Sequence, residues 1–239
     1  MRPRIAVNCD VAETDPIHGS REKVFLYSDY LEAIFEAGGE PLLLPPDHRA
    51  LTLLELADGV LLTGGDDYRA SVPDPSNPPP RYTAIHPRRD TFDSALWREL
   101  QSVETPVLGI CAGFQLMVIE EGGAVFGDIA DSLPEALRHR RDAVDEPIPH
   151  HSLVWSSREV EGVEARPGEV MSHHHQGVSA LPHQWHAWAT APDGVVEAAI
   201  GPGAWRVGIQ WHPELQPQEP IGRELFSALV HAASKRRAR

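Results

Sequence analysis

Cysteine is nearly missing from this chain: Cys9 and Cys111 are the two thiols in 239 residues. That is too few for a disulfide framework, so both are expected as free thiols in a reducing, cytoplasmic setting. Positive charge is also short, with 21 Lys and Arg against 35 Asp and Glu and a formal net charge of -14 when the 13 His are neutral. A surface for nucleic acid or anionic membrane needs a basic face that this composition cannot build. The one basic run, Lys235, Arg236, Arg237 and Arg239, reads as a solvated tail. Long apolar runs are lacking as well. The longest uncharged apolar stretch, Thr105 to Ile119, contains Gln115 and is too short and too punctuated by glycine to span a membrane. The N-terminus offers only Ile5 to Val7 beside Arg2 and Arg4, so no secretory signal is expected.

What the chain does have is 19 Gly and 22 Pro, about 17% together against the usual 12% or so, below the range that marks low complexity. The expectation is one domain over residues 1–239, with the surplus gathered in particular loops. Short apolar runs alternate with helical patterns through the first half, the signature of strands joined by helical crossovers. Strands are expected at Arg4 to Val7, Pro41 to Leu44, Gly59 to Leu62 and Val107 to Ile110. Helices are expected at about Val24 to Ala37, from near Asp90, and after Cys111. Pro73, Pro75, Pro78, Pro79 and Pro80 place an irregular stretch at Asp66 to Arg89. Beyond Gly122 and Gly123, runs at Ile148 to Trp155, Glu169 to Ser172, Gln184 to Thr190, Val195 to Ala199 and Val207 to Gln210 read as strands without long helices between them, hence an antiparallel extension. The Arg- and acid-rich stretch Asp131 to Glu146 reads as an exposed connection. Ile221, Leu225, Phe226, Leu229 and Ala233 mark a closing amphipathic helix.

Gly109-Ile110-Cys111-Ala112-Gly113 follows a buried strand and opens a helix, the Gly-x-nucleophile-x-Gly form of a nucleophile elbow. A thiol there is exposed at the carboxyl edge of the sheet and sits at a helix N-terminus that favours thiolate. A thiol attacking an amide needs a base and a group to orient that base. His212 and Glu214, in the run Gln210 to Glu214, fit those roles, with Pro213 stiffening the turn between them. Acyl transfer also needs N–H donors for the oxyanion. Ala112 and the Gly64-Gly65 turn can present them.

Seven of the histidines lie between His150 and His186. On a strand, His173, His174 and His175 would alternate faces, so a zinc site would need His150, His151, His183 or His186 to converge. No metal ligand is therefore expected, and the cluster reads as the wall of a substrate site. Trp185, Trp188, Trp205 and Trp211 read as core, and Cys9 as a buried structural thiol.

These residues resemble the class I glutamine amidotransferase group and, within it, the gamma-glutamyl-gamma-aminobutyrate hydrolase family. The resemblance rests on Tyr30-Leu31-Glu32-Ala33, Ala37-Gly38-Gly39, Asp58 to Leu62 with Gly64-Gly65, Arg89-Asp90, Pro106 to Gln115, Ser172 to Gln176, Asp193 to Ala198 and Gln210 to Glu214. It implies a flavodoxin-like three-layer α/β fold with a mostly parallel central sheet and an antiparallel extension. It also implies catalytic Cys111, His212 and Glu214, and a substrate pocket involving Gln115, Ser172, His174, His175 and Gln176, with no cofactor. The implied activity is thiol-dependent cleavage of a small gamma-glutamyl amine, with a homodimer as the open alternative to a monomer. Two rival readings stand beside it: a glutaminase component feeding ammonia to a synthetase, and a catalytically silent glutamyl-binding module. Three departures from the family pattern bear on the leaving amine: Ala112 where Arg is usual, Asp66-Asp67-Tyr68 after the Gly pair, and Met171 where Asn is common.

Overall fold

A computed structural model of the chain describes residues 2–14, 21–72, 74 and 76–238; Pro73, Pro75 and Arg239 lie outside them. Four parallel strands form the centre: β1 (Arg4–Asn8), β4 (Glu40–Leu44), β5 (Gly59–Leu62) and β6 (Val107–Ile110). Every residue of β5 and β6 is buried, which is why both read as continuous apolar runs rather than alternating ones. Strand β14 (Arg206–Ile209) lies parallel to β6 and antiparallel to β13 (Val196–Ile200), so it joins two halves of one sheet. Beyond it come β11 (Gly177–Ala180) and β7 (Ala124–Phe126), and the order is β4-β1-β5-β6-β14-β13-β11-β7. On a branch from β13 run β12 (His186–Thr190) and β9 (Val154–Trp155), while β8 (His150–Ser152) pairs with β10 (Glu169–Met171) apart from the main sheet.

Helices cover both faces. On one, α1 (Ser28–Glu36) and α5 (Pro220–Arg237) bury Tyr30, Ile34, Leu225 and Leu229 against Ile5, Val7, Leu61 and Leu108. On the other, α2 (Pro87–Gln101) and α3 (Ala112–Glu120) bury Phe92, Leu96, Trp97 and Phe114 against Ala6, Val60, Leu62 and Val107. Successive side chains along β1 and β5 thus feed two cores, giving the expected three-layer α/β fold with its antiparallel extension. A single turn, α4 (Ile129–Ser132), is capped by the Asp128 carboxylate.

Several elements differ from the expectations. Val24 belongs to a strand: β2 (Asp10–Thr14) and β3 (Arg21–Phe25) pair antiparallel from Asp10 opposite Phe25 to Thr14 opposite Arg21, and α1 starts only at Ser28. Strand β3 is largely solvent-facing, so it carries no apolar alternation. The second helix begins at Pro87, whose ring suits a first turn, with the His86 side chain capping the Arg88 N–H. The basic tail is not free: Arg236 donates to the Ala57 carbonyl and Arg237 to that of Arg2, in the last turn of α5. Trp185, Trp188 and Trp211 are buried, and Trp205 is half-buried with its indole N–H on the Glu161 carbonyl. No described helix is long and apolar enough to cross a membrane.

Candidate functional site

Strand β6 ends at Ile110 and α3 begins at Ala112, leaving one residue for the reversal. Cys111 makes it with φ 50 and ψ -109, one of two non-glycine residues with positive φ among those described. A non-glycine residue in that region is strained by about 1–3 kcal/mol and persists only where its surroundings hold it. The flanking glycines show how: a Cβ on Gly113 would sit 2.3 Å from the Leu62 carbonyl oxygen, and one on Gly109 2.3 Å from the Met117 sulfur. The expected elbow is therefore present, and tight packing beneath it presents the Cys111 sulfur at the N-terminus of α3.

After β14 the chain passes through Gln210 to His212 and Glu214, in a short 3-10 turn started by Pro213. His212 Nδ1 lies 2.7 Å from Glu214 Oε1, which fixes the ring so that Nε2 is left for a second partner. Burial opposes charge on His212, but Glu214 on one side and Cys111 on the other raise its pKa well above the ordinary histidine value. Gln210 donates to the Cys111 sulfur at 3.5 Å, and Gln115 donates to Gln210 Oε1 at 3.2 Å.

The loop after β5 completes this end of the sheet. The Gly64 N–H donates to the Tyr30 hydroxyl at 3.0 Å, so it is already engaged. The N–H groups of Gly65 and Ala112 have no acceptor among the described residues. Tyr30 is itself held well above the ordinary tyrosine pKa by burial and by the charge of Glu214, and stays a neutral hydroxyl. The loop is clamped from behind by Arg89, fully buried, which donates to the carbonyls of Thr63 and Gly64 and pairs with Asp10 at 2.8 Å and Asp93 at 3.1 Å. A Cβ on Gly65 would sit 2.4 Å from the Arg89 guanidinium, so the second glycine is a matter of space. Sequence reasoning recognises Arg89 only as a family mark, and Tyr30 only as part of a motif. Their contacts to the Gly loop are 25 and 34 residues away in sequence and leave no local signal.

Cys111, His212, Gly65 and Gln115 open onto a cleft of ≈ 320 Å³. Phe25 and Tyr27, from β3 and the segment after it, form one wall; Asp10, Asp66 and Asp67 add carboxylates, and Arg140 and His173 add cationic or neutral nitrogen donors. Burial and its acidic neighbours raise the Asp66 pKa above that of an ordinary carboxylate. Of the residues expected on the pocket wall, Gln115, His174, His175 and Gln176 line it, whereas Ser172 is turned away. The Ser172 hydroxyl donates to the His139 carbonyl at 2.9 Å and is fully buried. His175 is held by Asp67 at 3.0 Å, and Asp67 also accepts from the Thr83 N–H, so it fastens the Pro-rich loop to the histidine loop. Asp67 thus clasps two loops, Tyr68 is buried with its hydroxyl on Asp93, and Asp66 is left facing the cleft.

The histidine triplet sits in the loop between β10 and β11 rather than on a strand. His150 and His183 are exposed and His186 lies at the exposed start of β12, so these three do not converge with it. A different set does: His139, His151, His174 and Glu197 are all buried, with ligand atoms within 4.8 Å of one another. His139 lies in the stretch Asp131 to Glu146, expected to be an exposed connection, yet is 4% accessible. Cys9 is buried, and desolvation pushes its thiol up to about 11, as befits a structural residue.

Known proteins bear on this arrangement. The Peptidase C26 family model matches residues 3–214. A Mycobacterium tuberculosis protein named as a glutamine amidotransferase is 32% identical over 219 residues, covering 88% of this chain and 68% of that protein. The gamma-glutamyl-gamma-aminobutyrate hydrolase of Escherichia coli (strain K12) is 30% identical over 240 residues, covering 89% of each. A solved structure from Thermoplasma acidophilum, named as a component of GMP synthase, is covered over 97% of its length and covers 100% of this chain, with TM-score 0.67 and 17% identity; at that identity it speaks to the fold alone. The strained cysteine turn, the three-layer sheet and the extent of these matches agree, and the chain belongs to the Peptidase C26 family, on the fold of class I glutamine amidotransferases.

Proposed function

We propose that this protein is a thiol hydrolase that cleaves the gamma-glutamyl amide bond of a small gamma-glutamyl amine, with Cys111, His212 and Glu214 as its catalytic triad. One observation carries the reading: Cys111, strained at a helix N-terminus, faces a His212 that is bonded to Glu214 and whose pKa is raised well above the ordinary histidine value despite burial. The Cys111 thiolate attacks the gamma-carbonyl carbon, and the carbonyl oxygen becomes an alkoxide that the Gly65 and Ala112 N–H groups receive. His212 Nε2 gives its proton to the amide nitrogen, the C–N bond breaks and the free amine leaves a glutamyl thioester. Neutral His212 then takes a proton from water as the oxygen adds to the thioester carbon. Collapse expels the thiolate and releases glutamate.

The cleft suits the amino-acid end of such a substrate. Asp66 lines the cleft and can take an α-ammonium, and Arg140 and His173 can take an α-carboxylate. The two unpaired thiols suit a reducing compartment such as the cytoplasm. The test is a panel of gamma-glutamyl amines, glutamine included, read as glutamate release by the wild type and Cys111→Ala. Release from the amines that disappears in the variant is the expected result. Activity confined to glutamine would point instead to an ammonia-supplying component of a synthetase, and no release from any substrate would point to a silent binding module.

A further inference from the structure

Glu197, on β13, is fully buried, and neither carboxylate oxygen has a hydrogen-bond partner among the described residues. A buried carboxylate without a donor or cation is strongly disfavoured, so something must neutralise it. Around its Oε1 stand three ring nitrogens: His139 Nδ1 at 3.4 Å, His151 Nε2 at 3.3 Å and His174 Nε2 at 3.5 Å. They come from separate parts of the fold: His151 from β8, His174 from the β10–β11 loop and His139 from the connection after α4.

The opposite nitrogen of each ring decides what these atoms are. His139 Nε2 faces the Asp193 carboxylate at 2.9 Å, His151 Nδ1 the Ser152 carbonyl at 3.1 Å and His174 Nδ1 the Gln176 carbonyl at 2.8 Å. All three partners are acceptors only, so each outer nitrogen carries the proton. In the neutral imidazoles the inner nitrogens are therefore lone pairs, all turned towards a carboxylate that is also an acceptor. The one nearby hydroxyl, Ser172 Oγ, lies 3.2 Å from His139 Nδ1 and 3.1 Å from His174 Nε2, but with its proton on the His139 carbonyl it offers neither nitrogen a donor. The His151 Nε2 atom is likewise without a partner.

We propose that His139, His151, His174 and Glu197 form a structural binding site for a divalent transition-metal ion, zinc above all. Three imidazole nitrogens and one carboxylate oxygen are a typical tetrahedral set for Zn²⁺. Bonds of about 2.0–2.1 Å put the ligand atoms roughly 3.3–3.4 Å apart on each edge; the three edges to Glu197 Oε1 have this length, and the edges between the rings, all within 4.8 Å, would close by small side-chain shifts on binding. The outer hydrogen bonds to Asp193, Ser152 and Gln176 are the partners that orient metal-bound histidines. All four ligands are buried, with exposures of 0 to 5%, and all four positions are taken by protein atoms, so the ion would brace the fold rather than activate a nucleophile. What it braces is the loop carrying His173, His174 and His175 along the wall of the catalytic cleft. Extra protons on His139 and His151, whose pKa values the Glu197 charge raises against the effect of burial, would be the rival cations, and metal binding would release them.

The proposal does not depend on the hydrolase reading, because its test reads the metal. Full-length protein, stripped with a chelator and re-equilibrated with Zn²⁺, is assayed for bound metal by mass spectrometry and for a tetrahedral Co²⁺ absorption spectrum. One ion per chain and a rise in melting temperature with Zn²⁺ are expected for the wild type and for His150→Ala, the exposed neighbour. In His151→Ala, Zn²⁺ affinity should fall by more than the roughly 10–100-fold that loss of an outer partner costs. Glu197→Gln, which keeps the side-chain volume, should do the same and serves if His151→Ala does not fold. Wild-type protein that retains no metal, or a Co²⁺ spectrum unchanged in these variants, overturns the proposal.

Discussion

The two histidine centres of this protein are inversions of each other. At the edge of the cleft one imidazole, His212, stands between two anions or incipient anions, Glu214 and Cys111. Behind the cleft wall one carboxylate, Glu197, stands among three imidazoles. The same residue types serve both, and exposure separates their uses. His212 opens on solvent through the cleft, so a proton on its ring can exchange. The Glu197 carboxylate is fully buried, and a charge placed there is held by the rings around it. A histidine rich in acidic neighbours and next to a cavity suits proton transfer, whereas a sealed carboxylate rich in histidines suits holding a cation.

The sharpest way to break this comparison is to delete one histidine from each centre. His212→Ala should lower kcat/KM for a gamma-glutamyl amine by about 10⁴-fold, close to 5.5 kcal/mol of transition-state stabilisation. His151→Ala should leave kcat within about tenfold while lowering the melting temperature. Equal losses of activity would erase the distinction between a working and a bracing histidine.

A smaller effect is expected from Glu214→Gln, about 10² to 10⁴ in kcat, because the ring loses its orienting carboxylate. The pH profile gives the sign. His212 has a raised folded pKa, so the protonated ring persists above the ordinary histidine range, and activity should fall only as pH climbs through that raised value. Without Glu214 burial dominates, and the alkaline limb should move to lower pH. The same shift stabilises the folded state fully below about pH 6.5 and is lost as pH rises through the folded pKa of His212.

Arg89→Met asks whether the Gly64-Gly65 loop depends on its clamp. Asp93 is left buried beside Asn8 and Tyr68 without its cation, and chemical denaturation should show a loss of about 3–5 kcal/mol. The gentlest change, Tyr30→Phe, removes the acceptor of the Gly64 N–H and should cost about 1–3 kcal/mol in stability. Its effect on kcat should stay well below that of Glu214→Gln.

How legible these features are in the sequence follows the path of the chain. The strands β5 and β6 and the Cys111 elbow are local: four buried residues, a turn and a helix start leave their mark within ten positions. The His212 and Glu214 pair is local too, two residues apart around Pro213. The hairpin of β2 and β3 escapes sequence reading because β3 faces solvent and Val24 fits a helical stripe as well as a strand. The proposed zinc-binding set escapes it for another reason. His139, His151, His174 and Glu197 span 58 positions across a connection, two strands and a loop, and only the pairing of β13 and β8 with their neighbours brings them together. A rule for consecutive histidines on a strand does not apply to a triplet that lies in a loop, and it has nothing to say about a convergence that depends on tertiary folding.

The parallel pairing of β6 with β14 has a consequence for the nascent chain. Cys111 leaves the ribosome about a hundred residues ahead of His212. At roughly 5–20 residues per second, that leaves the elbow about 5–20 s without His212 beside it. The sheet cannot seat β14 beside β6 until nearly the whole domain has been made, so the thiol acquires its proton partner among the last events of folding. Fragments released early would carry the cysteine without the imidazole that faces it.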